Sequence, residues 1–289
     1  MSDQRHERMP PKMLLEHLEP FVVAPGWRFD RLDMEPLGVS VDPAHRFDIL
    51  RAASGRFLDR LVHLDRLTFG AVGMSMPEWL FNDVSALPGV IAGLGVRARI
   101  LPAELLTRLG FDAREDELIP LSMFIAVPAR PPAAWFGHNL ASLNRLLPEL
   151  HLRGLAGVTK ALGLRVMCCT EQLGATQWES KALHVHTRFG PLELLTAWTP
   201  AHSELATLTY RLRITDAGIA DVLHSRRRCA PNADTFWIDT QGHEAMRALQ
   251  QRIEHGERFA IVGPPARDTD GGTRIPVVRL APDLSQPSV

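Results

Sequence analysis

The chain has 289 residues, a formal net charge of -1, 45% hydrophobic residues and 22% charged ones. That balance gives no electrostatic footprint for nucleic acid, and the length allows a sizeable core with a smaller appended unit. Three cysteines, Cys168, Cys169 and Cys229, two of them adjacent, argue against a disulfide framework and for a reducing compartment. No apolar run approaches the roughly 18–20 residues of a membrane span. The start, MSDQRHERMPPK, has charges with no apolar stretch behind them, so the expectation is a cytoplasmic protein without a membrane span.

In chain order, Met1 to Lys12 is polar and reads as a flexible arm. From Arg46 to Phe69 the residues Phe57, Leu58, Leu61, Leu64 and Leu67 recur at three- and four-residue spacing, the mark of an amphipathic helix. Leu87 to Ala98, with a Pro-Gly turn and then small and β-branched residues, predicts a strand close to another backbone. Pro102 to Gly110 predicts a short helix with glycine at its end. Leu118 to Val127, LIPLSMFIAV, predicts a buried central strand, and Ala134 to Leu143 its hairpin partner.

Pro148 to Gly163, PELHLRGLAGVTKALG, reads as a turn running into a helix whose first amides could meet an anion, because small residues let it approach. Leu164 to Cys169 then predicts a strand. Thr176 to Phe189 reads as a helix on its Trp178, Ala182, Val185 and Phe189 face, and as a strand on the alternation of Leu183, Val185, Thr187 and Phe189; helix is preferred. Leu192 to Thr199 and Ala206 to Ile214 predict strands, and Asp216 to Arg226 a helix. A strand (Thr235 to Asp239), a helix (His243 to Glu254) and two strands (Phe259 to Val262, Ile275 to Leu280) follow. The domains expected are an arm over 1–12, a main domain over 13–214 and a C-terminal α/β extension over 215–289.

This order, with Pro148, Glu149, Arg153, Gly154, Ala156, Thr159 and Leu162, resembles the acyl-CoA N-acyltransferase (GNAT) superfamily over roughly Phe57 to Ile214. The resemblance implies an α/β (α+β) fold with a mixed central sheet flanked by helices. It also implies an acyl group moved from a CoA thioester, or from the phosphopantetheine of an acyl carrier protein, to an amine of a small-molecule substrate. The helix start holds the pyrophosphate in that family, so the resemblance assigns Arg153, Gly154, Leu155, Ala156, Gly157, Val158, Thr159 and Lys160 to the cofactor. A family tyrosine that protonates the leaving thiolate is matched in position by His186, four residues before Gly190, and histidine can do this near neutral pH. His138 or Glu204 would take the amine proton, and Trp135, Asn139, Ser142, Trp178 and His202 would line the substrate. No metal is expected, since His184 and His186 have no further ligand at suitable spacing.

LAGVTKALG also resembles the lysine segment of acetoacetate decarboxylase-like proteins, which would make Lys160 a Schiff-base nucleophile. A non-catalytic acyl- or ligand-binding protein is the third reading. No Gly-x-Ser-x-Gly elbow supports a serine nucleophile, and Arg226 to Arg228 reads as a solvated helix end.

Overall fold

Alternation and helical periodicity along the chain translate directly into layers, as a computed structural model of the protein shows. It describes residues 11–130, 133–199, 206–226, 234–268 and 271–281. These fall into two compact units, one of residues up to Cys169 with Val222–Ser225, the other of Thr170–Asp221 and the residues from Arg226 onward. The division after Cys169 differs from the boundary after Ile214 read from the sequence. Of the expected N-terminal arm only Pro11 and Lys12 are described; they sit in a 3-10 turn, and Pro11 is buried.

The first unit contains α1 (Leu14–His17), β1 (Glu19–Ala24), β2 (Arg46–Asp48), α2 (Gly55–Phe69), α3 (Glu78–Ala86), β3 (Val90–Arg97), α4 (Ala103–Leu109), β4 (Leu118–Arg130), β5 (Ala134–Ser142) and α5 (Leu155–Val166). Its strands pair in the order β5-β4-β3-β1-β2, antiparallel except for β1 with β2. Pro120 would cost a ladder bond inside β4, and the register shifts beside it, between Leu94 and Gly95 of β3. Alternation sends Ser122 and Phe124 of β4 to one face, where Thr159 and Gly163 of α5 meet them. Asn139, paired in register with Ile125, points to the opposite face and meets Asp65 of α2. Two helices thus cover the two faces of a mostly antiparallel sheet.

The second unit contains β6 (Glu171–Gln177), α6 (Leu183–His186), β7 (Leu192–Thr196), β8 (Thr207–Arg213), α7 (Asp216–Leu223), β9 (Phe236–Asp239), α8 (His243–Glu254), β10 (Arg258–Ile261), β11 (Ala266–Arg267) and β12 (Thr273–Leu280). Its strands pair in the order β6-β8-β7-β10-β12-β9, with the short β11 pairing the start of β12 on the β10 side, all antiparallel. The mixed α/β character and the flanking helices agree with the fold class expected from the sequence.

Two elements differ from their expected positions. Leu164 to Cys169 is no strand: α5 continues to Val166, and Cys168 turns the chain with a φ of 49°. The next strand is β6, which takes Thr176 and Gln177 from the segment read as a helix and leaves only α6 helical within Thr176 to Phe189. Thr187 ends that helix by folding its hydroxyl back onto the Leu183 carbonyl at 2.7 Å.

No described helix is long and apolar enough to cross a membrane.

Candidate functional site

The approach to α5 is built by backbone angles that few residues accept. A 3-10 turn over Pro148–Leu150 ends at His151 with a φ of 51°, and Gly154 enters the helix with a φ of 90°. Glycine adopts that left-handed angle without the Cβ clash. A side chain there would also put its Cβ 2.8 Å from Cγ of Pro11. Gly154→Ala is therefore expected to lower stability by roughly 1–2 kcal/mol, seen as a lower melting temperature. A melting curve identical to that of the unmodified chain would contradict the packing of Pro11 on this turn.

The amides of this turn divide into two sets. Arg153 donates to the His151 carbonyl at 2.8 Å, Leu155 to Leu152 at 3.1 Å and Val158 to Gly154 at 3.0 Å. Among the described residues no acceptor meets the amides of Gly154, Ala156 and Gly157, and no side chain caps the helix. Unpaired N–H groups at the positive end of a twelve-residue helix are suited to an oxyanion. Arg153 is exposed beside them, while Gly154 and Ala156 are half-buried.

Thr159 and Lys160 turn inward instead of toward that end. The Thr159 hydroxyl is buried 2.5 Å from that of Ser122. Lys160 is wholly buried, and burial lowers its ammonium pKa to about 7, against an opposing influence from Cys169. Neither side chain is at the surface where a phosphate would meet the first-turn amides.

On β5, Trp135 is buried beneath the Arg28 guanidinium, 5.1 Å from its ring centroid. The Ser142 hydroxyl donates to Asn144 Oδ1 at 3.0 Å, and His138 is exposed. Asn139 donates to Asp65 Oδ1 at 2.6 Å, and the Met76 amide donates to Asp65 Oδ2 at 2.7 Å. Burial raises the Asp65 pKa, while the two hydrogen bonds and the Arg66 and His138 charges act in the opposite direction. Asp65 was not singled out from the sequence. The available signal was a carboxylate within the stripe of Leu58, Leu61 and Leu64, where only a partnered acid can be buried.

In the second unit the Trp178 indole is fully buried and donates to the Ala197 carbonyl at 2.8 Å. His186 is buried with its ring centroid 5.4 Å from that of Tyr210, whose phenol burial pushes well above its ordinary pKa. His202 and Glu204 lie outside the described residues. No group of three or more His, Cys, Asp and Glu side chains is placed to hold a metal ion among the described residues.

No family model and no curated protein sequence matches the chain. It is similar to the solved structure of an aminoglycoside 6'-acetyltransferase type Ii, at 12% identity over 58% of this chain and 95% of that one, with a TM-score of 0.35. It is similar to the aminoglycoside 6'-N-acetyltransferase from Enterococcus faecium at 11% identity over 81% and 96% of the two chains, with a TM-score of 0.28. A protein described as a putative acetyltransferase of the GNAT family, from Desulfovibrio desulfuricans, is similar at 14% identity over 54% and 93%, with a TM-score of 0.32.

Proposed function

We propose that the chain is an N-acyltransferase that binds a CoA thioester at the start of α5 and passes its acyl group to an amine. The observation that carries this reading is the unpartnered amides of Ala156 and Gly157 at the positive end of α5. They suit a pyrophosphate, and the exposed Arg153 adds a cation. The chain order agrees with the GNAT resemblance: an early helix, antiparallel strands, α5, then strand, helix and a closing strand pair. In the reaction the amine nitrogen attacks the thioester carbonyl carbon, a C–N bond replaces the C–S bond, and the thiolate leaves. The amine proton needs a base, and His138, exposed beside the buried Asp65, is the group in the first unit proposed for it.

Ala156→Pro tests the amides. Proline is tolerated in the first helical turn but carries no N–H. Titration calorimetry with acetyl-CoA is expected to show binding to the unmodified chain and roughly five- to tenfold weaker binding to the variant, with circular dichroism unchanged. Absence of acetyl-CoA binding to the unmodified chain would overturn this reading, and the non-catalytic binding protein remains if Lys160 also stays unlabelled in the test below.

Lys160 supports a second reading. An amine whose pKa burial lowers to about 7 is largely neutral above that pH and can add to a carbonyl. Under this reading borohydride in the presence of acetoacetate labels Lys160 irreversibly, and an unlabelled Lys160 peptide in the mass spectrum eliminates it.

A further inference from the structure

Two cavities of the first unit lie together and share no residue with the start of α5. They measure about 530 and 230 Å3, and Ala44, Phe47 and Ala53 line both. Three short pieces of chain form much of their walls: the 3-10 turn Pro43–His45, the strand β2 and the turn Ala52–Ser54 that leads into α2.

The larger cavity has an aromatic wall. Phe47 stacks on Phe57 at 3.8 Å between centroids and 9° between planes, and remains partly exposed on the cavity side of that stack. Phe29 faces the same space, with Arg46 and Arg51 beside it. Arg46 is held by two bonds to the Val41 carbonyl, at 3.2 and 2.9 Å, so its position is set before any ligand arrives.

The smaller cavity holds polar groups that the fold leaves unsatisfied. His45 is 2% exposed, and neither ring nitrogen has a hydrogen-bond partner. Glu19 Oε2 lies 3.6 Å from Nε2, and the Pro20 carbonyl is the backbone acceptor that acts on the ring, but neither reaches full hydrogen-bond geometry. Burial, then the Arg97 charge, lowers the imidazole pKa, so the ring is neutral and keeps one N–H to donate. Arg60 places its two Nη atoms on the Leu118 and Asp112 carbonyls and on Glu117, yet its buried Nε–H has no partner. Arg56 and Arg97 complete the lining cations. Buried donors without acceptors are costly, and together they ask for an acceptor that the chain does not supply. Of the five guanidinium groups that line the two cavities, Arg51 pairs with Asp48, Arg56 with Asp112 and Glu117, Arg60 with Glu117 and Arg97 with Glu19, while Arg46 bonds the Val41 carbonyl.

We propose that this paired cleft is a second small-molecule site, separate from the acyl-donor site, that takes a planar aromatic compound bearing a carboxylate or phosphate. The ring lies against Phe47 in the larger cavity, and the anionic group accepts from Arg60 Nε, the His45 N–H and Arg56 in the smaller one. The combined space is within the range of small-molecule sites.

Titration of the full chain with phenyl phosphate, benzoate and inorganic phosphate tests this, with the His45 ring resonances followed by NMR. At least one aromatic anion is expected to shift the His45 signals and to bind at least tenfold more tightly than inorganic phosphate. Which one binds identifies the anionic group. Arg56→Ala removes a half-exposed side chain whose ion pairs contribute little stability, and is expected to weaken the aromatic anion about tenfold. Phe47→Leu is expected to bring it to the level of inorganic phosphate. Neither variant changes the affinity for acetyl-CoA, and acetyl-CoA does not displace the aromatic anion. Binding indifferent to both variants, equal affinity for inorganic phosphate, no His45 shift, or displacement by acetyl-CoA each overturns the second site. Failure of acetyl-CoA to bind at all bears on the α5 reading alone.

Discussion

Lys160→Met is expected to make the first unit more stable at neutral pH and to remove most of its stability gain on going alkaline. Folding carries the Lys160 ammonium from an ordinary value of 10.5 to about 7. Below pH 7 the amine is protonated both folded and unfolded, and the full penalty of burying the charge is present. Between about pH 7 and 10.5 the unfolded chain holds the proton while the folded chain has released it, so stability rises with pH. Above both values the penalty is gone. The shift corresponds to a penalty on the order of 4 kcal/mol at pH 7. Methionine fills similar space without a charge and is expected to recover roughly 2–4 kcal/mol there. Hydrogen exchange of β4 amides at pH 6, 7.5 and 9 checks this, because α5 packs on that strand. Equal pH slopes in the two proteins would mean that the lysine is solvated.

A penalty of that size bears on function as well as stability. Under the acyl-transfer reading Lys160 lies inside α5 without meeting the donor, and Lys160→Met leaves acetyl-CoA binding intact. Under the Schiff-base reading the same substitution removes the nucleophile. One variant therefore separates the two uses of PELHLRGLAGVTKALG, with its added stability showing that the protein remains folded.

Strong periodicity made part of the first unit legible, while α1, β1, β2 and α3 were not read from the sequence. The apolar stripe of α2, the run in β4 and the glycine after α4 each lie where pattern placed them. Reading failed where burial erased pattern. From Leu155 to Val166 nearly every residue is buried, so α5 shows no polar face to mark its course, and its last turn reads as a strand. In β6 the buried positions are Gln172 and Gly174, neither of which signals an apolar face. The candidate site was legible as a helix start, because Gly154 precedes it; the inward course of Thr159 and Lys160 was not, because it depends on Ser122 and Phe124 of a distant strand. Asp65 was hidden for the same reason, its partner Asn139 being 74 residues away.

Gly93→Ala is expected to damage the first unit severely. Gly93 lies in β3 between β1 and β4, in register with Phe21 and Met123. An added Cβ would stand 2.1 Å from the Ser122 carbonyl oxygen and 2.4 Å from Cζ of Phe21. The first is backbone inside a paired strand, and the second belongs to a fully buried ring that packs edge-on against Phe57 at 4.9 Å. Neither can move without opening a strand pair or displacing α2, so the expected cost is about 4 kcal/mol or more. Gly55→Ala is the control, since nothing lies within 4 Å of its Cβ position and it occupies a helical turn; it should stabilise by roughly 0.5–1 kcal/mol. Thermal melting followed by circular dichroism separates the pair. A Gly93→Ala midpoint within roughly 2 °C of the unmodified chain would mean that β1, β3 and β4 do not approach as closely as their register places them.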